Sequence, residues 1–307
     1  MPKNVAILLC TMQGHDHLRE QLDSIEGQTH PSWAVWASDD SPDHRTHAIL
    51  TEYQARLGST RLSICQGPRK GFAANFLSLV CNDSMKGDYF AYADQDDVWG
   101  ADKIDRAVQW LQTMPEQVPA LYCGRTRKVD VNNQELGFSP LFTRPPGFAN
   151  ALVQSIASGN TMVFNRATRD MLKLAGAALP VAAHDWWTYQ LVSGCGGTVF
   201  YDPVPCVRYR QHDANLIGTN GTWRKRVAHL RMLLDGRFRN WNQINLAALQ
   251  SMRSHLSAEN QARLDAFSEA RDGALIARIA AVRRAGVYRQ TRVGNLGLAA
   301  AVLLNRL

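Results

Sequence analysis

The chain alternates short, continuously apolar runs with amphipathic stretches. Val5–Cys10 is apolar throughout, as a strand buried on both faces is. Leu18, Gln21, Leu22 and Ile25 then recur at helical spacing. The same alternation predicts strands over Trp33–Ala37, Arg61–Cys65, Tyr89–Ala93 and Ala120–Cys123, with helices over Ile49–Leu57, Phe72–Val80 and Asp102–Met114. Such a pattern predicts an α/β fold, a mainly parallel sheet flanked by helices. Phe138–Gly147 holds three prolines and reads as an irregular connection. A helix-like stretch from Ala151 leads to a strand at Thr161–Phe164, then helices over Arg166–Leu174 and His184–Val192. Thr198–Tyr201 and Cys206–Tyr209 look like two further strands. From Trp223 onward the pattern is helical and ends in a short apolar stretch, Leu296–Leu304. The expected organisation is an α/β domain over 1–220 and a helical extension over 221–307.

Charge sharpens that division. The net charge is +7, yet residues 221–307 hold 15 basic and 5 acidic residues, against 19 and 22 in residues 1–220. A nearly neutral body thus carries a strongly basic extension. The extension has three readings: a solvated appendage packed on the body, a surface that meets anionic lipid, or an oligomerisation element. Nucleic acid is disfavoured as a partner, since no recognised module is present and the basic residues are scattered along helices. No apolar run approaches the roughly 18 residues of a membrane span. The start reads as a first strand, without a signal peptide's cleavage site. None of the six cysteines has C-x-x-C spacing, which suits buried free thiols in a reducing compartment. The expected location is cytoplasmic, with peripheral contact to the inner face of the plasma membrane as one option.

The chemistry sits at the ends of predicted strands, where open parallel sheets bind ligands. The second strand ends in Asp39-Asp40 and the fourth in Asp94-Gln95-Asp96-Asp97. Carboxylates this close repel unless a cation sits among them, and they suit hard divalent ions that hold phosphates. An Asx turn at Asp39 and a helix N-cap after Asp94 are the plain structural alternatives.

These residues also carry a resemblance. Thr11 after the first strand, Gln21-Leu22-Asp23-Ser24-Ile25, Gln28-Thr29 and Asp39-Asp40-Ser41 resemble the N-terminal half of family 2 glycosyltransferases. Arg69-Lys70-Gly71-Phe72-Ala73-Ala74-Asn75 is similar to that family's glycine-to-asparagine segment, and Asp94-Gln95-Asp96 to its D-x-D motif. Ala93-Asp94-Gln95-Asp96-Asp97-Val98-Trp99, and Tyr209-Arg210-Gln211-His212 followed by Asn215, resemble the bacterial rhamnosyltransferase-like branch. The resemblance covers roughly residues 4–218. It implies a GT-A (Rossmann-like) fold and transfer of a hexose with inversion at the anomeric carbon. The donor would be a nucleotide-diphosphate sugar, dTDP-rhamnose or a UDP-sugar. The acceptor would be a cell-surface glycan such as an O-antigen, with a lipid-linked form as one option.

The resemblance also assigns roles. Thr11, Asp40, Gly71, Asn75, Asp94 and Arg210 would lie about the nucleotide and its diphosphate. Asp94, Asp96 and His212 would hold Mn²⁺ or Mg²⁺. Asp185, in His184-Asp185-Trp186-Trp187, would be the catalytic base. Trp186 and Trp187 would offer a flat face to an acceptor sugar, unless they belong to the core. Gly71 has a turn, Arg210 a surface charge and Asp185 a helix N-cap as alternatives. Three other functions remain to be weighed: a nucleotidyltransferase, a degenerate nucleotide- or sugar-binding module, and a membrane-associated scaffold. The first should show a glycine-rich loop after the first strand, where only Gly14 stands.

Overall fold

The computed structural model describes residues 2–211 and 237–307. The first strand, β1 (Val5–Thr11), is buried along its whole length. Its alternate side chains serve two separate cores. Val5, Ile7 and Leu9 face α1 (Leu18–Glu26), α2 (Arg45–Leu57) and α4 (Lys103–Leu111). Ala6, Leu8 and Cys10 face α3 (Phe72–Val80) and α7 (His184–Gly194). A central strand covered on both faces must be apolar throughout, which is what its sequence shows.

The remaining strands are β2 (Trp33–Asp39), β3 (Leu62–Gln66), β4 (Tyr89–Asp94), β5 (Val98–Trp99), β6 (Ala120–Val129), β7 (Glu135–Phe138), β8 (Val163–Asn165) and β9 (Thr198–Arg210). They form one sheet in the order β3-β2-β1-β4-β8-β6-β9-β5, with β7 beside β6. β3, β2, β1 and β4 are parallel, as the alternation predicts. β8 then runs antiparallel to both β4 and β6, so the second half of the sheet is mixed. No crossover helix separates β8 from the 3-10 turn Gly159–Thr161 that feeds it. The short helices α5 (Phe148–Ala151) and α6 (Arg166–Ala175) flank this turn and strand.

β9 is continuous where the pattern suggested two strands. Pro203 and Pro205 interrupt its donors, and prolines are tolerated in a strand only at edges or irregularities. Here the register with β6 shifts between Gly124 and Thr126, and the Asp202 carboxylate accepts from the Val204 N–H at 2.8 Å.

The described extension comprises α8 (Arg237–Ser251), α9 (Ala258–Asp272), α10 (Leu275–Ala285) and α11 (Arg292–Leu303). Leu249, Met252, Phe267 and Leu298 share one apolar cluster with Phe148, Leu191 and β1. All six cysteines are free thiols. No described helix is long and apolar enough to cross a membrane.

Candidate active site

The carboxyl ends of β1, β2 and β4 lie side by side, with Thr11 opposite Asp39 and Cys10 opposite Asp94. This register delivers both aspartate clusters to one sheet edge. The β2 end is tightly tied. The Thr11 hydroxyl and the Ser41 N–H both donate to Asp39 Oδ1, at 2.9 and 3.0 Å. Asp40 Oδ1 accepts the Arg69 N–H at 2.7 Å, which fastens the β3–α3 loop to the end of β2. Gly67 has to be glycine here, because a Cβ would stand 2.2 Å from that same oxygen. Gly71 has φ +88° and ψ 164°, a region open to glycine, and starts α3. Asn75 is buried one turn on; its Nδ2 donates to the Ser38 carbonyl, and Oδ1 has no partner among the described residues.

The side chains of Thr11 and Asn75 therefore face the protein. Both brace the ends of β1 and β2 that the resemblance places around a nucleotide.

The β4 end carries Asp94-Gln95-Asp96-Asp97. Burial, and then the charges of Asp96 and Asp185, push Asp94 up to about 8. Asp97 is also raised, by burial and by its neighbours Asp96 and Asp94. Its two oxygens accept from Asn160 Nδ2 at 2.6 Å and from the Arg210 N–H at 3.3 Å. Tyr209 is raised by burial and by the fields of Asp94, Asp97, Asp96 and Asp185 together. One small region thus collects four carboxylates from the β4 end and the start of α7.

Asp185 stands in the first turn of α7. Its Oδ1 accepts the Trp186 N–H at 2.6 Å, and its Oδ2 accepts the Gly159 N–H at 3.1 Å. Burial raises it, and these two bonds only partly oppose that. A raised carboxylate held by the backbone and facing other acids suits proton transfer.

Two expectations need correction, and a third falls on a residue that is not described. Trp186 and Trp187 present no platform to an acceptor. Trp187 is wholly buried, while Trp186 donates from Nε1 to the Ala151 carbonyl and stacks on Phe238. α7 is packed on nearly every side, so both indoles belong to the core. Arg210 is buried, and its guanidinium is committed to the protein. Nε donates to the Asp96 carbonyl at 2.9 Å, Nη1 to Val131 O at 2.7 Å, and Nη2 pairs with Glu20 at 2.8 Å. It shapes the D-x-D turn from behind. His212 lies outside the described residues.

The structure adds residues that the sequence reading passed over. Gln95 accepts the Met12 N–H at 2.7 Å and donates to the Met12 carbonyl at 3.0 Å, locking the β1–α1 loop to the D-x-D motif. Its place between the two aspartates was the available signal. Asn160, from the 3-10 turn, had none beyond its neighbours Ser158 and Gly159.

A divalent ion fits this edge by the chemistry of the donors. Asp94 and Asp96 are hard oxygen ligands whose mutual repulsion a cation would relieve. Among the described residues no three His, Cys, Asp or Glu side chains are gathered for metal binding.

Known proteins resemble this chain in sequence and in fold. The family described as Glycosyl transferase family 2 matches residues 6–172. The dTDP-rhamnosyl transferase RfbG of Shigella flexneri is 26% identical over 239 residues, which is 73% of this chain and 78% of that protein. Two solved structures share the fold. One is the mannosyltransferase PcManGT of Pyrobaculum calidifontis with GDP-Man and Mn²⁺, at TM-score 0.52 and 19% identity over 100% of this chain and 86% of that one. The other is S. aureus TarS 1-349 with UDP-GlcNAc, at TM-score 0.53 and 14% identity over 97% and 92%. With a family match over more than half its length, a GT-A fold and a rhamnosyltransferase relative, the chain belongs to glycosyl transferase family 2, on its rhamnosyltransferase-like branch.

Proposed function

We propose that this glycosyltransferase moves rhamnose from dTDP-rhamnose to a hydroxyl of a growing cell-surface glycan, inverting the anomeric carbon. The likeness to RfbG supports the donor. The observation that carries the reaction is the 3-10 turn Gly159–Thr161, which ties Asp185 to the D-x-D end of β4: the Gly159 N–H donates to Asp185 at 3.1 Å and Asn160 Nδ2 to Asp97 at 2.6 Å. In this reading the acceptor hydroxyl gives its proton to Asp185 as its oxygen bonds the anomeric carbon. The bond from that carbon to the diphosphate oxygen breaks, and its electron pair leaves with the nucleoside diphosphate. Asp40 and the Gly67–Gly71 loop receive the nucleotide. Asp94 and Asp96, with His212 as a further ligand, would hold Mn²⁺ or Mg²⁺, which neutralises charge on the departing diphosphate.

The test uses purified protein, Mn²⁺ or Mg²⁺, and dTDP-rhamnose against UDP-sugars, with the product's anomeric configuration read by NMR. Asp185→Asn should lower turnover by about 10²- to 10⁴-fold while leaving dTDP binding intact. Unchanged turnover would remove Asp185 as the base. A thermal shift that needs a metal ion and a nucleotide other than dTDP would overturn the donor assignment.

A further inference from the structure

We infer that the outer face of α10 and α11 docks on an anionic lipid bilayer. Residues 275–307 contain six arginines and no aspartate or glutamate. Three of the six are used within the protein. Arg278 is buried and donates to the Val302 and Gly273 carbonyls, at 2.7 and 3.0 Å. Arg284 pairs with Glu269. Arg289 lies over the Phe238 ring. The other three, Arg283, Arg292 and Arg306, are exposed and have no ion-pair partner among the described residues. Nothing acidic on this helix pair offsets them.

Both helices also expose apolar side chains where a solvated helix would be polar. On α11, Leu298, Ala301 and Val302 turn inward. Val293, Leu296 and Leu303, with Leu304 just beyond, turn outward at helical spacing, and Leu296 is 71% exposed. Ile276 on α10 is 85% exposed. The Arg278–Val302 bond ties the two helices together, so the stripe is held on a packed support. An apolar ridge flanked by uncompensated arginines matches a bilayer surface: leucines enter the acyl boundary while guanidinium groups meet lipid phosphates. A protein partner would have to supply both an apolar groove and acidic groups. A second copy of this chain brings the same positive helices and is repelled. The proposal rests on these helices alone and stands apart from the transfer reaction.

Flotation of the full chain with vesicles tests it. Binding is expected to phosphatidylcholine vesicles containing phosphatidylglycerol, to be much weaker to phosphatidylcholine alone, and to fall with added salt. Each of Arg283→Gln, Arg292→Gln and Arg306→Gln should weaken partition roughly fivefold. Leu296→Glu combined with Leu303→Glu should abolish it. All five positions are exposed, so circular dichroism and the melting temperature should stay as in the parent. Absence of binding to anionic vesicles, or binding untouched by both sets of changes, would overturn the proposal. So would a concentration-dependent dimer that Leu296→Glu dissolves, since the stripe would then be a contact between copies.

Discussion

Asp185 and Lys103 show what burial does to single charges. Burial raises the Asp185 carboxyl, so its basic form is lost at a higher pH than for an ordinary carboxylate. The acid limb of kcat/KM is therefore expected above the usual carboxylate range, and to disappear from the residual activity of Asp185→Asn; a pH–rate profile reads both. His184, next to it, is a core residue. It stacks on Phe76 at 3.8 Å, burial drives it down to about 3, and neither ring nitrogen has a partner among the described residues. Lys103 is fully buried over the Trp99 ring, with its Nζ 3.5 Å from the centroid and without a hydrogen-bond partner among the described residues. Burial lowers it to about 8, against a partial pull upward from Cys206 and Asp97. Its charged form is disfavoured in the fold, so the cost is full below about pH 8. That cost fades as pH rises towards the unfolded value of 10.5. Lys103→Met should thus stabilise the protein at neutral pH by about 2–3 kcal/mol, an advantage that shrinks above pH 8. Urea unfolding at several pH values checks it.

The loop into α3 depends on Gly71. A Cβ there meets nothing within 4 Å, so space is not the constraint. The constraint is φ +88°, which L side chains rarely adopt. Gly71→Ala is expected to cost about 1–3 kcal/mol and to weaken nucleotide binding, because the same loop carries the Arg69 N–H to Asp40. Chemical denaturation and a dTDP titration separate the two effects. β9 ends in Arg210, whose guanidinium reaches the Asp96 carbonyl, the β6–β7 connection and Glu20 of α1. One strand end thereby joins three separate segments behind the D-x-D turn.

The described helices of the extension share a core with the sheet. Leu249, Phe267 and Leu298 lie in the same cluster as Phe148, Trp187 and Leu191. Asn245 Oδ1 also accepts the Ala182 N–H at 3.0 Å, just before α7. A chain ending at residue 220 would expose this side of α5 and α7. It is expected to aggregate or to lose cooperative unfolding, whereas the full chain melts in a single transition; calorimetry of both tells them apart.

The parallel half of the sheet was legible because β1, β2 and β4 are covered on both faces and so are apolar without interruption. The two aspartate clusters were legible because strand ends in such sheets point one way, and the family's motifs stand there in order. β5 and β7 were not: a two-residue strand and an edge strand with exposed Leu136 and Phe138 leave no periodic signal. Nor could spacing show which way a polar or aromatic side chain turns. Tyr-Arg-Gln-His reads alike whether Arg210 faces a diphosphate or braces Asp96. His-Asp-Trp-Trp reads alike whether the indoles face a sugar or the core. Sequence by itself determined the order of elements, the sheet edge that carries the acids and the excess of arginine at the end. Tertiary structure decided which side chains are presented and which are spent on support, because contacts between residues distant in the chain set burial and hydrogen bonding.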